Sequence, residues 1–451
     1  DVVQDAGAYP VLGARLPVMT MLMTTGAYDI ANAGFSGVSV VTNAVSTTAY
    51  RGAGRPEAAV AIERMVDRFA AEIGMDPAEV RRRNLVAPFT DCYTSGVGTT
   101  YDVGDYPEAL ERVLRAADYD ALRNEQARLR AAGGPVALGI GIATYVEVTA
   151  GIRGDREFGG VELLDGGRIR VTSGSTPTGQ GHDTTWAMIV ADRTGMALEH
   201  VEVVHGDTDR VPRGGLTVSS RSVQLGGAAV AEACDMLVER ARDAAAELLE
   251  ASVADVVLDR AAGRFHVSGT PGARAVGWAD LVAADRAALS AEADHLPAMP
   301  TFPFGAHVAV VEVDTETGRV DLRRIVALDD AGRILNPLVA EGQVHGGIAQ
   351  GAAQALLEAV RYDEEGQPLT TNFVDYPVIS ATELPPLELV HMATPTFVNQ
   401  LGAKGIGESG TVGAIPAVYN AVIDALCHLG IRHLVTPLTP ERVWAALATV
   451  R

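Results

Sequence analysis

The sequence is poor in lysine and in cysteine. Lys404 is the only lysine among 451 residues, so nearly all of the 36 basic residues are arginine. The three cysteines, Cys92, Cys234 and Cys427, lie far apart and form neither a CxxC pair nor a disulfide framework. This usage is typical of a reducing compartment, and we therefore predict a cytoplasmic location.

Positive charge and long apolar runs are also scarce. Acidic residues outnumber basic ones by 57 to 36, which gives a formal net charge of −21 and argues against nucleic-acid or anionic-membrane partners. No uninterrupted apolar run reaches the roughly 18 residues that span a bilayer. A hydrophobic content of 47% indicates a globular chain, and its length predicts two or three domains.

Helical and strand patterns alternate without a regular βαβ order, which predicts an α+β fold. The predicted helices cover 56–73, a short segment from Asp76-Pro77, 107–132, a segment from Gly181, 222–251, 338–359, 416–429 and 440–450. The predicted strands cover 36–46, 136–149, 158–164, 168–173, 200–205, 306–314 and 319–328. Gly133-Gly134-Pro135 is the predicted boundary between a first domain (1–133) and a second (134–451), with a further division of the second near 260–300.

Residues 402–416, GAKGIGESGTVGAIP, contain Glu408 in a glycine-rich run before a predicted helix. Glycine lets backbone approach a ligand closely, and a helix start offers unpaired N–H groups. Glu408 is therefore a candidate catalytic carboxylate, although a solvated acid on a loop is the simpler alternative. Residues 405–410 also fit the dinucleotide-binding pattern GxGxxG. This match is weak, because the residues before it are a poor buried strand and no acidic residue follows about 20 positions later.

Four further glycine-rich segments precede or enter helices. They are 47–58 with Arg51 and Arg55, 172–189 with Gly179, Gln180, Gly181 and His182, 216–227 with Ser219, Ser220, Arg221 and Ser222, and 343–358 with Gln350. Each has an ordinary structural explanation, such as helix capping by Asp183 or Thr184. Five such segments in one chain instead favour a large polar cofactor that is held from several loops, with Glu408 beside its reactive end.

In their order along the chain, AYRGAGRPEA, GQGHDTTWA, the SSRS cluster, GGIAQGAAQALLE and GAKGIGESG resemble the molybdenum-binding large subunits of the xanthine oxidase family, and most of all the aerobic carbon monoxide dehydrogenase type. The resemblance implies an α+β fold of two elongated molybdopterin-binding domains. It also implies a molybdopterin cytosine dinucleotide cofactor whose molybdenum is held by the pterin dithiolene, without a direct protein ligand. The implied cofactor contacts are Gly179, Gln180, Gly181, His182, Thr184, Ser219, Ser220, Arg221, Ser222, Gln350, Gly52, Ala53, Lys404, Gly405 and Gly407.

The resemblance further implies that Glu408 is the general base and that Gln350 and Arg51 lie at the reactive centre. The expected activity is oxidation of an aldehyde or an N-heteroaromatic carbon with water as the oxygen source. Electrons are expected to leave through partner subunits that carry 2Fe–2S clusters and FAD, in a dimer of such heteromeric complexes. The family's upstream part is not found in this sequence, so we expect either a fragment or a second chain that completes the pocket.

Two departures from the family pattern bear on the substrate. Carbon monoxide dehydrogenases have a copper-binding cysteine directly after the arginine of AYR, whereas this chain has Gly52. Purine oxidases have a phenylalanine one position later, whereas this chain has Ala53, and their substrate-orienting arginine falls near Met19. A carbon monoxide dehydrogenase and a non-catalytic scaffold are the alternative interpretations.

Overall fold

The computed structural model describes residues 1–150, 155–270, 274–282 and 289–450. Within them the helices are α1 (Leu16–Leu22), α2 (Arg55–Ile73), α3 (Pro77–Asn84), α4 (Tyr106–Ala117), α5 (Tyr119–Ala132), α6 (His182–Thr194), α7 (Ala228–Leu249), α8 (Trp278–Val282), α9 (Pro337–Leu356), α10 (Ser409–Cys427) and α11 (Pro440–Ala448). The strands are β1 (Val2–Asp5), β2 (Gly37–Val40), β3 (Tyr93–Thr94), β4 (Thr100–Tyr101), β5 (Val136–Val146), β6 (Glu157–Leu164), β7 (Arg168–Ser173), β8 (Val201–Val204), β9 (Val256–Asp259), β10 (Arg264–Val267), β11 (Ala275–Gly277), β12 (Ser290–His295), β13 (Phe304–Asp314), β14 (Val320–Asp330) and β15 (Leu387–His391). The α+β fold class is confirmed.

A four-stranded sheet in the order β15-β14-β13-β5 carries the candidate site at one end. β13 is antiparallel to both of its neighbours, and only β14 and β15 run parallel. β5 is buried along almost its whole length because helices cover both faces of the sheet. The core on one face contains residues of α4, and the core on the other face contains residues of α9 and α10.

Helix α10 packs directly on β5, and glycine makes this close approach possible. A methyl group at Gly139 or Gly141 would collide with the backbone of α10 near Ala421 and Ala417. β5 and α10 run in opposite directions, so residues nearer the end of β5 contact residues nearer the start of α10. Glu147, which follows β5, and Glu408, which precedes α10, are thereby brought together.

A second four-stranded sheet, in the order β12-β6-β7-β8, packs against α6 and α7. Leu401 and Ala403 belong to the same core. This packing ties the loop before Glu408 to the second sheet. A three-stranded sheet, β11-β10-β9, lies in the region where a subdomain division was predicted. The domain division at residue 133, between α5 and β5, stays a prediction.

Several predicted elements differ in detail from the structure. The single helix predicted over 107–132 is wrong, because Asp118 takes a left-handed conformation (φ 53°) and separates α4 from α5. The alternative explanation, helix capping by Asp183 or Thr184, is not met, since the N-cap of α6 is Gly181. Helix α10 starts at Ser409 instead of 416, with Pro416 inside it. The short strands β3, β4, β9 to β12 and β15 were not predicted.

Helix α10 is the one helix in the described ranges that is long and apolar enough to cross a membrane. Its 18-residue window has a mean hydropathy of 1.3, and 89% of that window is buried within the protein. Small and polar residues interrupt the apolar ones along this helix, which is why no continuous run was apparent in the sequence. Its burial against β5 and α9 is that of a core helix.

Candidate active site

One cavity of about 1240 Å3 receives residues from all five glycine-rich segments. The segments contribute, in chain order, Arg51, Gly179, Ser220, Gln343 and Glu408 to its wall. These residues lie between 41 and 128 positions from one to the next in the sequence, and the two sheets with their helices bring them together. The motifs that the sequence analysis grouped by pattern therefore share one site.

Glu408 stands directly before α10, and several donors hold its carboxylate at the cavity wall. Oε1 accepts a hydrogen bond of 2.9 Å from the backbone N–H of Gly52, and Oε2 accepts one of 2.9 Å from the Ser220 hydroxyl. Oε2 also pairs with the buried guanidinium of Arg55. The Glu408 side chain is 12% exposed. The carboxylate is thus fixed in orientation and still accessible from the cavity.

Arg51 connects the Glu408 loop to helix α9. Its Nε donates to the Gly407 carbonyl at 2.6 Å, and Nη1 donates to Gln350 Oε1 at 2.9 Å. Nη2 donates to both the carbonyl and the side-chain oxygen of Gln343, at 3.0 and 3.1 Å. Burial lowers the pKa of Arg51, and the nearby carboxylate of Glu408 opposes that shift. Arg51 therefore acts on the site by holding the loop that carries Glu408.

Gln343 is a cavity residue that the sequence analysis missed. It lies seven residues before Gln350 on α9, which is two helical turns, so both side chains fall on the same helix face. Gln343 lines the cavity, whereas Gln350 accepts from Arg51 behind it. The seven-residue spacing of two glutamines among small residues was the signal that could have identified Gln343.

Glu147 and the role of Arg55 were also missed. Glu147 is completely buried, and it accepts hydrogen bonds from Arg55 at 3.3 Å and from Ser409 at 2.9 Å. Burial, reinforced by repulsion from Glu408, raises the pKa of Glu147 to about 8. A lone carboxylate at the end of the apolar segment 136–149 was the available signal, since buried acids are rare unless they have partners.

Several non-glycine residues in the described loops around Glu408 take left-handed conformations. Ala53, Ser219 and Ser220 have φ values of 35°, 53° and 52°. Such conformations persist only where surrounding contacts impose them, and here the Ser219 carbonyl accepts from Ala150 N at 2.7 Å. Gly52, next to Ala53, has φ 103°, and its N–H points at Glu408. The unusual backbone conformation at Gly52 thus lets its N–H donate to the Glu408 carboxylate.

Helix α6 begins at the cavity, and two of its buried polar atoms lack a partner. His182 Nδ1 and Trp186 Nε1 have no hydrogen-bond partner among the described residues, and both side chains line the cavity. Burial lowers the pKa of His182, which favours the neutral imidazole. Gly179 leaves open space where a side chain would stand. This helix start therefore has unused hydrogen-bonding capacity that faces the cavity.

The other predicted cofactor contacts differ in whether they line the cavity and in whether their side chains already have partners within the protein. Arg221 lines the cavity, but its guanidinium donates to the carbonyls of Leu216 and Arg156 and pairs with Glu157 at 3.4 Å. The Ser222 hydroxyl donates to Thr217 Oγ1 at 3.3 Å. Thr184 is exposed and outside the cavity wall, which Thr185 joins instead. Gln180 lines the cavity with its side chain bonded to Thr178.

Lys404 is buried, and its ammonium group is used by the protein itself. Nζ donates to the carbonyls of Val103 and Phe302 at 2.9 and 3.0 Å and lies 3.6 Å from Asp102. Desolvation lowers its pKa, and Asp102 partly offsets that effect. The ammonium group therefore anchors the 402–416 loop. As cofactor contacts, Lys404, Gly405, Gly407, Gly52 and Ala53 stay predictions.

The chain belongs to the molybdopterin cofactor-binding domain family, whose description matches residues 112–385 and, for a companion domain, residues 1–85. It is similar to the carbon monoxide dehydrogenase large chain of Hydrogenophaga pseudoflava, with 38% identity over 469 residues that cover 99% of this chain and 58% of the relative. The resemblance inferred from the five motifs is confirmed.

Solved structures share this fold. A Cu,Mo-CO dehydrogenase superposes with a TM-score of 0.92 at 32% identity, covering 99% of this chain and 59% of that one. Quinoline 2-oxidoreductase from Pseudomonas putida 86 superposes with a TM-score of 0.91, also at 32% identity, covering 99% and 59% of the two chains. The chain therefore spans a little over half the length of the relatives that it matches.

The cavity fits a molybdopterin cofactor on its own chemistry. Such a cofactor presents phosphate oxygens and a pterin ring with many hydrogen-bonding atoms. The cavity offers unpartnered ring nitrogens of His182 and Trp186 in α6, the serine hydroxyl of Ser219, and open space beside Gly179. A helix N-terminus with free N–H groups is a favourable site for an anion of this kind.

Proposed function

We propose that this chain is the molybdenum-binding catalytic part of a hydroxylase that oxidises an aldehyde or an N-heteroaromatic carbon. Glu408 is the general base, and the observation that carries the proposal is its carboxylate, clamped by Gly52, Arg55 and Ser220 at the wall of a cavity that suits the cofactor. In the overall reaction, a C–H group and water become a C–OH group, two protons and two electrons.

The bound cofactor would supply the two-electron oxidation and an activated oxygen derived from water. We propose the cytosine dinucleotide form, with Gly179 to His182 at the start of α6 and Ser219 to Ser222 holding its polar parts. The unpartnered ring nitrogen of His182 and the unpartnered indole N–H of Trp186 support this placement. Gln343, held by Arg51, presents its amide group to the cavity next to the Glu408 loop, and Gln350 supports Arg51 from behind.

Glu408 would accept a proton from the oxygen nucleophile at its Oε1 atom. Oε2 already accepts hydrogen bonds from Arg55 and Ser220, whereas Oε1 accepts one from the Gly52 N–H. A carboxylate oxygen has two lone pairs, so Oε1 keeps one for the cavity. A base with fixed orientation and partial water exclusion contributes about 10²- to 10⁴-fold to a rate.

The substrate side of the cavity favours an organic molecule over carbon monoxide. Leu16, Met19 and Leu22 of α1 contribute an apolar wall, and Ala53 leaves space that a larger residue would fill. Position 52 has no side chain for copper, and its φ of 103° disfavours any residue with a Cβ. Carbon monoxide dehydrogenase activity is the second candidate because of the relatives named above, and Gly52 counts against it.

We propose that electrons leave through partner subunits with 2Fe–2S clusters and FAD, in a dimer of heteromers. The relative from Hydrogenophaga is named a large chain, which supports a multi-subunit assembly. A further segment, on this chain or another, would complete the pocket. We also propose a cytoplasmic location, supported by three cysteines that are all free.

The decisive test is Glu408→Gln in the purified molybdenum-containing complex. Because glutamine preserves shape but cannot accept a proton, kcat is expected to fall by about 10²-fold or more while molybdenum content stays unchanged. Glu388→Gln is the matched control, since Glu388 pairs with Arg324 on an exposed sheet edge. Full turnover in the Glu408 variant would contradict the proposal, and stoichiometric copper would favour the carbon monoxide reaction.

The substrate class is tested separately with aldehydes and azaheterocycles, coupled to an artificial electron acceptor. Turnover of either group, with 18O from labelled water in the product, is expected. A complex that contains molybdenum but oxidises none of these compounds would favour the non-catalytic scaffold.

A further inference from the structure

Two carboxylates, Glu408 and Glu147, meet at the end of β5 and share the same two partners. Arg55 Nη2 lies within bonding distance of both, and so does the Ser220 hydroxyl. Only Glu408 reaches the cavity, because the Glu147 side chain has no exposed surface. Glu147 therefore touches the base and its partners without facing the substrate.

The hydrogen bonds of Ser220 constrain where the protons lie. Ser220 Oγ accepts from the backbone N–H of Glu408 at 3.1 Å and lies 2.9 Å from Glu408 Oε2 and 3.2 Å from Glu147 Oε1. A hydroxyl has one hydrogen, so it cannot donate to both carboxylates. If Glu147 carries a proton on Oε1, all three contacts are satisfied: Ser220 accepts two hydrogen bonds and donates the third to Glu408.

Electrostatics favours the same arrangement. One buried guanidinium cannot compensate two adjacent negative charges, and the charge is better placed on the more accessible carboxylate. The groups that face Glu147 are Arg55 and Glu408, with Tyr145 and Arg51 nearby. The pKa of Glu147 is raised to about 8, first by burial and then by Glu408.

We propose that Glu147 is a positioning residue for Glu408: it holds a proton in the resting site and directs the Ser220 hydroxyl toward the Glu408 carboxylate. This inference rests on the proposed function only for its effect on catalysis. Its consequence for protonation can be tested without any turnover. Glu147 remains behind the catalytic carboxylate and does not contact the cavity.

The first test is infrared difference spectroscopy of the purified complex near neutral pH. Wild type minus Glu147→Gln is expected to contain a carboxylic acid C=O band, because the variant removes a protonated acid. Wild type minus Glu408→Gln is expected to contain ionised carboxylate bands instead. A carboxylic acid band that disappears with Glu408, or ionised carboxylate bands that disappear with Glu147, would overturn the proposal.

The second test compares two substitutions of Glu147 in the same complex. Glu147→Gln resembles the protonated acid and can donate to Ser220, so its kcat is expected to stay within about threefold of wild type. Glu147→Ala frees the Ser220 hydroxyl, and kcat is expected to fall about 10- to 100-fold with little change in KM, as is usual for a misplaced catalytic group. Equal losses in both variants would contradict the proposal.

The pH profile separates positioning from simple structural support. In wild type, activity is expected to decline as pH rises through the pKa of Glu147, since a second negative charge then competes for Arg55 and Ser220. Glu147→Gln should remove this decline. The control is Glu63→Gln, another fully buried glutamate paired with an arginine, Arg81, in a separate cluster. It is expected to lower the unfolding temperature and to leave the pH profile unchanged.

The outcomes distinguish this inference from the proposed function. If no aldehyde or azaheterocycle is oxidised, the proposed function fails, but the infrared spectra still decide the protonation of Glu147. If turnover is found and depends on Glu408, yet the two Glu147 variants behave alike and keep the wild-type pH profile, only the positioning role fails.

Discussion

Gly405 provides a direct way to move Glu408 without changing any polar group. A Cβ at position 405 would lie 2.6 Å from Ser220 Cβ and 3.0 Å from the Ser220 carbonyl carbon, and it would collide with the Ser220 carbonyl oxygen. The obstacle is mostly backbone, so no side-chain rotation relieves it. Ser220 is itself held in a left-handed conformation next to Ser219, whose carbonyl is bonded to Ala150.

The size of the effect follows from the distances. An ordinary contact begins at 3.4 Å, so the two loops must separate by at least about 0.8 Å to clear the Ser220 Cβ alone, and by more to clear its carbonyl oxygen. A displacement near 1 Å in a catalytic constellation costs about 100-fold in rate, and overpacking costs about 1–3 kcal/mol in stability. For Gly405→Ala we expect kcat to fall about 10- to 100-fold, with a modest decrease in unfolding temperature.

The assay is steady-state turnover of the molybdenum-containing complex, together with its molybdenum content and unfolding temperature. Gly342→Ala is the matched control, because Gly342 lies on α9 beside Gln343 and a Cβ there meets no atom within 4 Å. Wild-type activity in Gly405→Ala, or an equal loss in the control, would refute the reasoning that contact between these two loops sets the position of Glu408.

Two further substitutions test the neighbouring parts of the site. Lys404→Met should destabilise the protein by about 3–5 kcal/mol in thermal unfolding, because it leaves buried Asp102 without its cation. Adding Asp102→Asn should recover part of this loss of stability. An unchanged unfolding temperature in Lys404→Met would contradict this account. Gly52→Cys should create neither stoichiometric copper binding nor carbon monoxide oxidation, since φ is 103° and the new Cβ would lie 2.5 Å from Pro56 Cγ. Metal analysis of the variant decides this point.

The sequence was most informative where glycine spacing and a charged residue occurred together. The segments around Arg51, Gly179, Ser220 and Glu408 were predicted to serve one site, and they line one cavity. Glycine recurs in such patterns mainly where the backbone approaches another group closely or takes a positive φ. The positions of these glycines therefore indicate close tertiary contacts. The helices α2 and α3 were predicted closely because their first turns carry proline and, for α3, the Asp76 cap.

The partners of Glu408 could not be predicted in the same way, because they depend on packing between distant segments. Glu147 follows a strand that reads as apolar, and only the register of α10 on β5 places it behind Glu408. The break at Asp118 was missed for a related reason. A left-handed residue inside a continuous amphipathic pattern leaves no period change that would reveal it.

The two arginines of the 47–58 segment show how a correct pattern can point to a different use. The sequence grouped their segment with the others that were predicted to hold a large polar cofactor. In the structure Arg55 is buried between Glu147 and Glu408, and Arg51 bonds Gly407, Gln343 and Gln350. A buried guanidinium needs several acceptors in fixed directions, and satisfying them orders the acceptors as well. The arginines are therefore better understood as the groups that make Glu408 rigid, and the unpartnered atoms that we propose for cofactor contacts belong to His182 and Trp186 of α6.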